Sequence, residues 1–193
     1  MPQDKKTLSW LKIAKNKKIK KIEADRHAAY VKILKYDISK LKPQVACPHT
    51  VDNVCSVNNL KDVKINEAYL GTCTNGRLAD LKIAASILKS KKVHKAVRFI
   101  IAPASKTIFL EALKSGIIDT FIRAGAVVVP AGCGPCVGTH QGIPADGEVV
   151  ISSANRNFKG RMGNPNAFIY LGSPATVCAS AIEGKITDPR KYL

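Results

Sequence analysis

The sequence predicts an α/β fold, a three-layer αβα sandwich built around a mostly parallel sheet. Three observations carry that reading. From residue 66 onward, short apolar runs of strand character alternate with amphipathic segments of helical period. Glycines and small polar residues gather directly after several of those strands. A hydrophobic fraction of 46% over 193 residues is enough for a sizeable core.

In chain order, Leu8, Trp10, Leu11, Ile13 and Ala14 suit a short helix with one buried face. "KKIKKIEAD" (17–25) and "AAYVKILKYDIS" (28–39) alternate with period two and read as strands with one solvated face. "KLKPQVACPHTVDNV" (40–54) holds two prolines and reads as an extended connection. A boundary is therefore placed between a basic appendage, residues 1–42, and a core, residues 43–193. The core opens with the strand "EAYLG" (67–71), the turn "TCTNG" and a helix over 77–90 with Leu78, Leu81, Ala85 and Leu88 on one face. "AVRFIIAP" (96–103) is a buried strand. "SKTIFLEALKSG" (105–116) is a helix with Ser105 as N-cap and Gly116 as its stop. "IIDTFIRAG" is a second short helix and "AVVVP" the next strand, and "EVVISSA" and "AFIYLG" are strands too. "SPATVCASAIEG" closes the core as a helix, with Ser173 capping, Pro174 in the first turn and Gly184 at the end.

Composition narrows the function. The net charge is +17, from 31 basic and 14 acidic residues, and residues 1–42 hold 13 of the former against 4 of the latter. A basic arm invites phosphate binding. Against that, the charge is almost all lysine, the interleaved aromatics are only Trp10, Tyr30 and Tyr36, and no helix-turn-helix or RNA-binding signature appears. No run approaches the roughly 20 apolar residues of a membrane span. The lysine-rich N-terminus is not followed by the apolar stretch of a secretory signal. A cytoplasmic location and reduced thiols for the six cysteines follow as expectations.

Three polar, glycine-rich segments fall just after predicted strands: "GTCTNGR" (71–77), "AGCGPCVG" (131–138) and "SANRNFKGRMG" (153–163). In open α/β sheets, ligands bind outside the carboxyl ends of the strands. That topology makes Cys73 the natural third partner of Cys133 and Cys136. Converging thiolates need compensating charge from a metal or an iron–sulfur cluster. A closed zinc site wants four ligands, and His140 or His49 could supply the fourth. A thioredoxin-like pair is less attractive, because that motif opens a helix whereas Pro135 and its flanking glycines suggest a loop. His27 and His94 read as surface residues, Lys159 as solvent-facing and Cys178 as buried packing.

"GTCTNGRLADLKIAA", "AGCGPCVGTHQG" and "ANRNFKGRMGNP", in that order, strongly resemble the aconitase superfamily. The "CTNGRLADL" form and the "GRMG" ending are similar to the large subunits of 3-isopropylmalate dehydratase and homoaconitase. The likeness runs from about Pro43 to Arg190. It implies a [4Fe–4S] cluster held by Cys73, Cys133 and Cys136, with one iron left open to bind substrate as a Lewis acid. It implies that Arg156 and Arg161 hold substrate carboxylates and that Asn155 lies beside the cluster. For Asn75 and Arg77, shaping the loop is as fitting as touching substrate. Cys55 and Cys178 match no cluster position, while Cys47 and His49 lie in a family-like segment.

The implied reaction is a hydro-lyase isomerisation. Dehydration and rehydration move a hydroxyl to the neighbouring carbon, interconverting 3-isopropylmalate and 2-isopropylmalate in leucine biosynthesis. Homocitrate or citrate is the alternative substrate. The resemblance also implies missing parts: earlier large-subunit domains with His and Asp residues, and a small swivel-domain subunit carrying the catalytic serine. The chain is thus expected to be the C-terminal, cluster-bearing domain of a heterodimer and inactive alone. Two other readings remain open at this point. One is a non-catalytic RNA-binding relative using Lys17, Lys18, Lys20 and Lys21; the other is a structural zinc domain.

Overall fold

The structure, a computed structural model, describes residues 4–15 and 22–193. The chain divides into two compact units, Met1–Lys40 and Leu41–Leu193.

In the first unit, α1 (Lys5–Lys15) forms where the sequence predicts a helix. Asp4 caps it, its carboxylate accepting the Thr7 amide at 2.7 Å. The two expected strands are not there. Residues 22–39 contain no strand, and positions 17–21 of the first run lie outside the described residues, as do all four lysines of the RNA-binding reading. Period-two alternation marks a face, but a strand exists only through ladder bonds to a neighbour. No neighbouring strand lies among the described residues of this unit, and Tyr30, Val31, Ile33, Leu34, Tyr36 and Ile38 stay exposed.

The second unit is a seven-stranded sheet in the order β2-β1-β7-β6-β3-β4-β5. Its strands are β1 (Gln44–Ala46), β2 (Val54–Ser56), β3 (Glu67–Gly71), β4 (Arg98–Ala102), β5 (Val127–Val128), β6 (Val149–Ser152) and β7 (Phe168–Leu171). From β7 through β5 every pairing is parallel, while β1 joins β7 and β2 antiparallel. The β1–β2 hairpin replaces the extended connection expected there. Three-residue strands are too short to show a period, and Pro43 and Pro48 lie just outside β1, where they cost no ladder bond.

The helices are α2 (Thr72–Asn75), α3 (Leu78–Leu88), α4 (Lys106–Lys114), α5 (Ile117–Ala124), α6 (Gly134–Val137) and α7 (Pro174–Glu183). Ser105 and Ser173 cap α4 and α7 as predicted, accepting from Ile108 N at 3.3 Å and Thr176 N at 3.1 Å. Alternation along the strands divides the core in two. Ala68, Leu70, Phe99, Ile101 and Ile151 meet Leu81, Ile87, Phe121, Val177 and Ala181 of α3, α5 and α7 on one face. On the other face, Tyr69, Ile100, Ala102, Val150 and Ile169 pack with Cys136, Ala154 and Met162. Both faces are covered, as a sandwich requires, but unequally. The longer helices of this unit, α3, α4, α5 and α7, lie on the first face, and the second is closed by α6 and the 154–163 segment. The thinner layer carries the motifs.

Candidate functional site

The sheet has a topological switch at β3. The chain leaves β3 for β4 and β5 on one side and returns to β6 and β7 on the other. In open α/β sheets such a switch point is where ligands are expected, outside the carboxyl ends of the strands. Cys73 lies just past β3, in α2, while Asn155 and Arg156 follow β6.

The turn out of β3 is tight. Gly71 has φ 137°, and a Cβ there would stand 2.0 Å from the Ala102 carbonyl oxygen, so β4 presses directly on this backbone. Thr72, buried and β-branched, is held at φ 78°. A left-handed β-branched residue is a rare conformation, of the kind found where surroundings fix a functional loop. The loops after β3 and β6 are laced together. The Gly71 amide donates to Ser153 Oγ at 2.9 Å, Asn75 Nδ2 to the Ser153 carbonyl at 2.6 Å, and the Thr74 hydroxyl to Asn155 Oδ1. Asn75 thus shapes the loop, and Asn155 is positioned by Thr74.

Cys133 and Cys136 bracket the first turn of α6, with Cys133 as its N-cap. This differs from the loop expected around Pro135. Proline fits the first turn of a helix, where its missing N–H has no partner to lose, so the C-x-x-C pair does open a helix, a single turn long. Cys133 is exposed, Cys136 buried. At the end of that turn, Gly138 (φ 68°) meets the "GRMG" segment. A Cβ on Gly138 would stand 2.2 Å from the Gly163 amide nitrogen. Two of the glycine-rich motifs therefore touch backbone to backbone.

This contact brings Arg161 to the cysteines. Its Nη2 donates to Cys136 Sγ at 3.2 Å, its guanidinium lies 5.8 Å from the Phe158 ring, and its buried Nε has no partner. Arg156 and Lys159 are exposed. Asn157, between them, is buried and anchors the segment: Nδ2 points to the carbonyls of Cys47 at 2.8 Å, Ile169 at 3.2 Å and Thr50 at 3.3 Å.

Beneath the motifs lies a residue that sequence reasoning absorbed into the core. Tyr69 is wholly buried on the α6 face of β3, and its hydroxyl has no hydrogen-bond partner among the described residues. Burial, and after it the charges of Cys136, Cys133 and Cys73, push its phenol up. Of the three cysteines, Cys136 packs in the same buried cluster as Tyr69. Among the described residues, no three His, Cys, Asp or Glu side chains converge tightly enough to hold a single metal ion.

Other candidates fall elsewhere. His140 is exposed, and its ring lies over Gly134, where a Cβ would come within 2.4 Å of it. His49 is half-buried, its ring 5.6 Å from that of Phe168, and its Nδ1 has no partner. Cys47 and Cys55 face each other across the β1–β2 hairpin with Sγ atoms 3.6 Å apart, and burial pushes the Cys47 thiol up to about 11. Cys178 is fully buried in α7, which raises its thiol well above the ordinary value. His27 and His94 are exposed. Among the described residues, no helix is long and apolar enough to cross a membrane.

Residues 56–184 match the aconitase family (aconitate hydratase), which is more than half of the chain. This chain belongs to the aconitase family. Relatives include "3-isopropylmalate dehydratase large subunit 2" of Archaeoglobus fulgidus, 55% identical over 90% of this chain and 42% of that protein. The "3-isopropylmalate dehydratase large subunit" of Elusimicrobium minutum is 53% identical over 98% of this chain and 46% of its own length. The "Methanogen homoaconitase large subunit" of Methanocaldococcus jannaschii is 51% identical over 91% and 42%. This aconitase-family chain spans somewhat under half the length of these relatives. The shared region holds all three glycine-rich motifs, and the family implies an iron–sulfur cofactor in general.

Proposed function

We propose that this chain is the cluster-bearing domain of a hydro-lyase large subunit, which isomerises 3-isopropylmalate and 2-isopropylmalate by dehydration and rehydration. What supports the reading is the backbone contact of Gly138 with Gly163, which sets Arg161 against Cys136, with Cys133 opening the same turn and Cys73 just past β3. The donor set fits a [4Fe–4S] cluster. Cys133 and Cys136 bracket one turn, and the Arg161 Nε, which has no partner among the described residues, could donate to an anionic group beside Cys136. A cluster binds each thiolate to a different iron, so its ligands stand farther apart than those of a single ion.

With three cysteine ligands, the cluster would supply one open iron as a Lewis acid that draws off a substrate hydroxyl. The chain's own residues would do the rest of the work on this side of the site. Arg161 keeps donors free beyond its bond to Cys136, and Arg156 stands exposed after β6, so both can take substrate carboxylates in the bidentate manner of guanidinium. Asn155, its Oδ1 held by Thr74, is exposed and keeps its amide N–H groups for the cluster or substrate. Residues that take the substrate proton and carry away the leaving hydroxyl are assigned to the remaining large-subunit domains and to a small subunit. The phrase "large subunit" in the relatives' names supports that partnership.

A homoaconitase reading stands second, because methanogen homoaconitase large subunits are also about half identical to this chain. The test is an assay of the anaerobically reconstituted chain, alone and with the complementary large-subunit segment and small subunit of a 3-isopropylmalate dehydratase. Turnover of 3-isopropylmalate only in the mixture is the expected result. Turnover of homocitrate instead would favour the second reading, and turnover by the chain alone would refute the domain assignment.

A further inference from the structure

Tyr69 has an unpaid polar group in the wrong place for simple packing. Its ring lies in the middle of β3, with Ala68 and Leu70 pointing to the opposite face, and it is fully buried among Ile100, Val150, Met162 and Cys136. Phenylalanine would fill the same space without burying a hydroxyl, and a buried hydroxyl without a partner costs free energy. Among the described residues nothing accepts its proton. The Cys136 amide also acts on the oxygen, but an amide N–H can only donate. The hydroxyl therefore needs an acceptor that the described residues do not supply. The side on which one could stand is defined by the sheet: it is the face closed by α6, where Cys136 packs.

Sulfur is such an acceptor. A cluster's sulfides and thiolates carry negative charge and take hydrogen bonds from nearby donors, and those bonds are among the influences that set its potential. We propose that the Tyr69 hydroxyl donates a hydrogen bond to a sulfur of the cluster, so that Tyr69 is a positioning residue that raises the cluster's reduction potential and helps retain it. The inference rests on the proposed cluster and deepens that reading. Arg161, from the other side, donates to Cys136 Sγ at 3.2 Å. The two donors would grip the cluster from opposite chain segments, one from the floor of the sheet and one from the 154–163 loop.

The test compares the parent chain with Tyr69→Phe, which removes one oxygen and keeps the ring. Before reconstitution, the variant is expected to melt no lower than the parent, because an orphaned hydroxyl is being removed. After anaerobic reconstitution with iron and sulfide, it is expected to bind a cluster of lower reduction potential. It is also expected to lack one exchangeable proton coupling seen in the reduced parent by electron–nuclear double resonance before and after transfer to D2O. A marked drop in melting temperature before reconstitution would mean that the hydroxyl already has a protein partner, which overturns the proposal. Equal potentials and an unchanged proton coupling would overturn it too, leaving the cluster reading intact. Failure of the parent itself to take up iron and sulfide would instead sink the cluster reading.

Discussion

Glu67 lies at the opposite end of β3 from Cys73, and it is the residue whose behaviour is most sharply set by its surroundings. It is wholly buried, with Oε2 3.1 Å from Arg98 Nη2 and Oε1 unpartnered. Burial pushes its carboxyl up from 4.5 to about 7, against the pull of Arg98. Glu148, which shares Arg98 but is less buried, is held below the ordinary range by that guanidinium. A carboxyl raised in the folded state contributes its stability in full below the unfolded value, near pH 4.5, and loses it as pH climbs through about 7. Glu67→Gln is expected to remove that dependence. By urea unfolding, the parent should lose on the order of 3 kcal/mol relative to the variant between about pH 4.5 and 7. Parallel stability curves would show that the charged form is as well accommodated as the neutral one. Residues of this kind were poorly legible in the sequence. Cys73, Cys133 and Cys136 stood out because thiolates among glycines have few ordinary uses. Glu67 and Tyr69 sit in an apolar strand, where sequence shows a core position but not the missing partner.

Among the elements, the two glycine-rich segments that meet at Gly138 and Gly163 decide whether the site is assembled. Gly138→Ala would put a methyl 2.2 Å from the Gly163 amide nitrogen at φ 68°, and neither backbone can give cheaply. A loss of about 2 kcal/mol or more in thermal or denaturant unfolding is expected. Asn157→Ala is expected to cost about 1–3 kcal/mol, since the carbonyls of Cys47, Thr50 and Ile169 lose a shared buried donor. Its larger effect should be on the loop bearing Arg156 and Arg161, read as faster amide exchange across 154–163. If exchange there is unchanged, the loop is held by something other than Asn157. The longer helices and the parallel strands were legible because α3, α4, α5 and α7 carry caps, stops and periods. What was not legible depended on partners. The β1–β2 hairpin is too short to have a pattern, and the alternating runs of residues 22–39 have a pattern but no neighbouring strand. The single turn of α6 was misread as loop because Pro135 and two glycines look like breakers, although proline in a first turn is not one.

For the whole molecule, the chain holds one wall of a site whose other walls are expected elsewhere. Cys73, Cys133 and Arg156 are exposed beyond the carboxyl ends of the strands, and the first unit exposes a run of large apolar side chains. An assembled enzyme is expected to cover the cysteines, so the isolated chain's cluster should lose iron in air faster than the same cluster in the mixture with its complementary segments. Equal loss rates by visible absorbance would argue against covering partners. The most direct test of the central claim is anaerobic reconstitution with iron and sulfide, followed by metal and sulfide analysis and electron paramagnetic resonance on the same sample. About four irons and four sulfides per chain, turning into a three-iron signal on mild oxidation, are the predicted result. They should be lost on changing any of Cys73, Cys133 or Cys136 to serine. Zinc without sulfide, or no metal at all with these cysteines shown to be reduced, would contradict it.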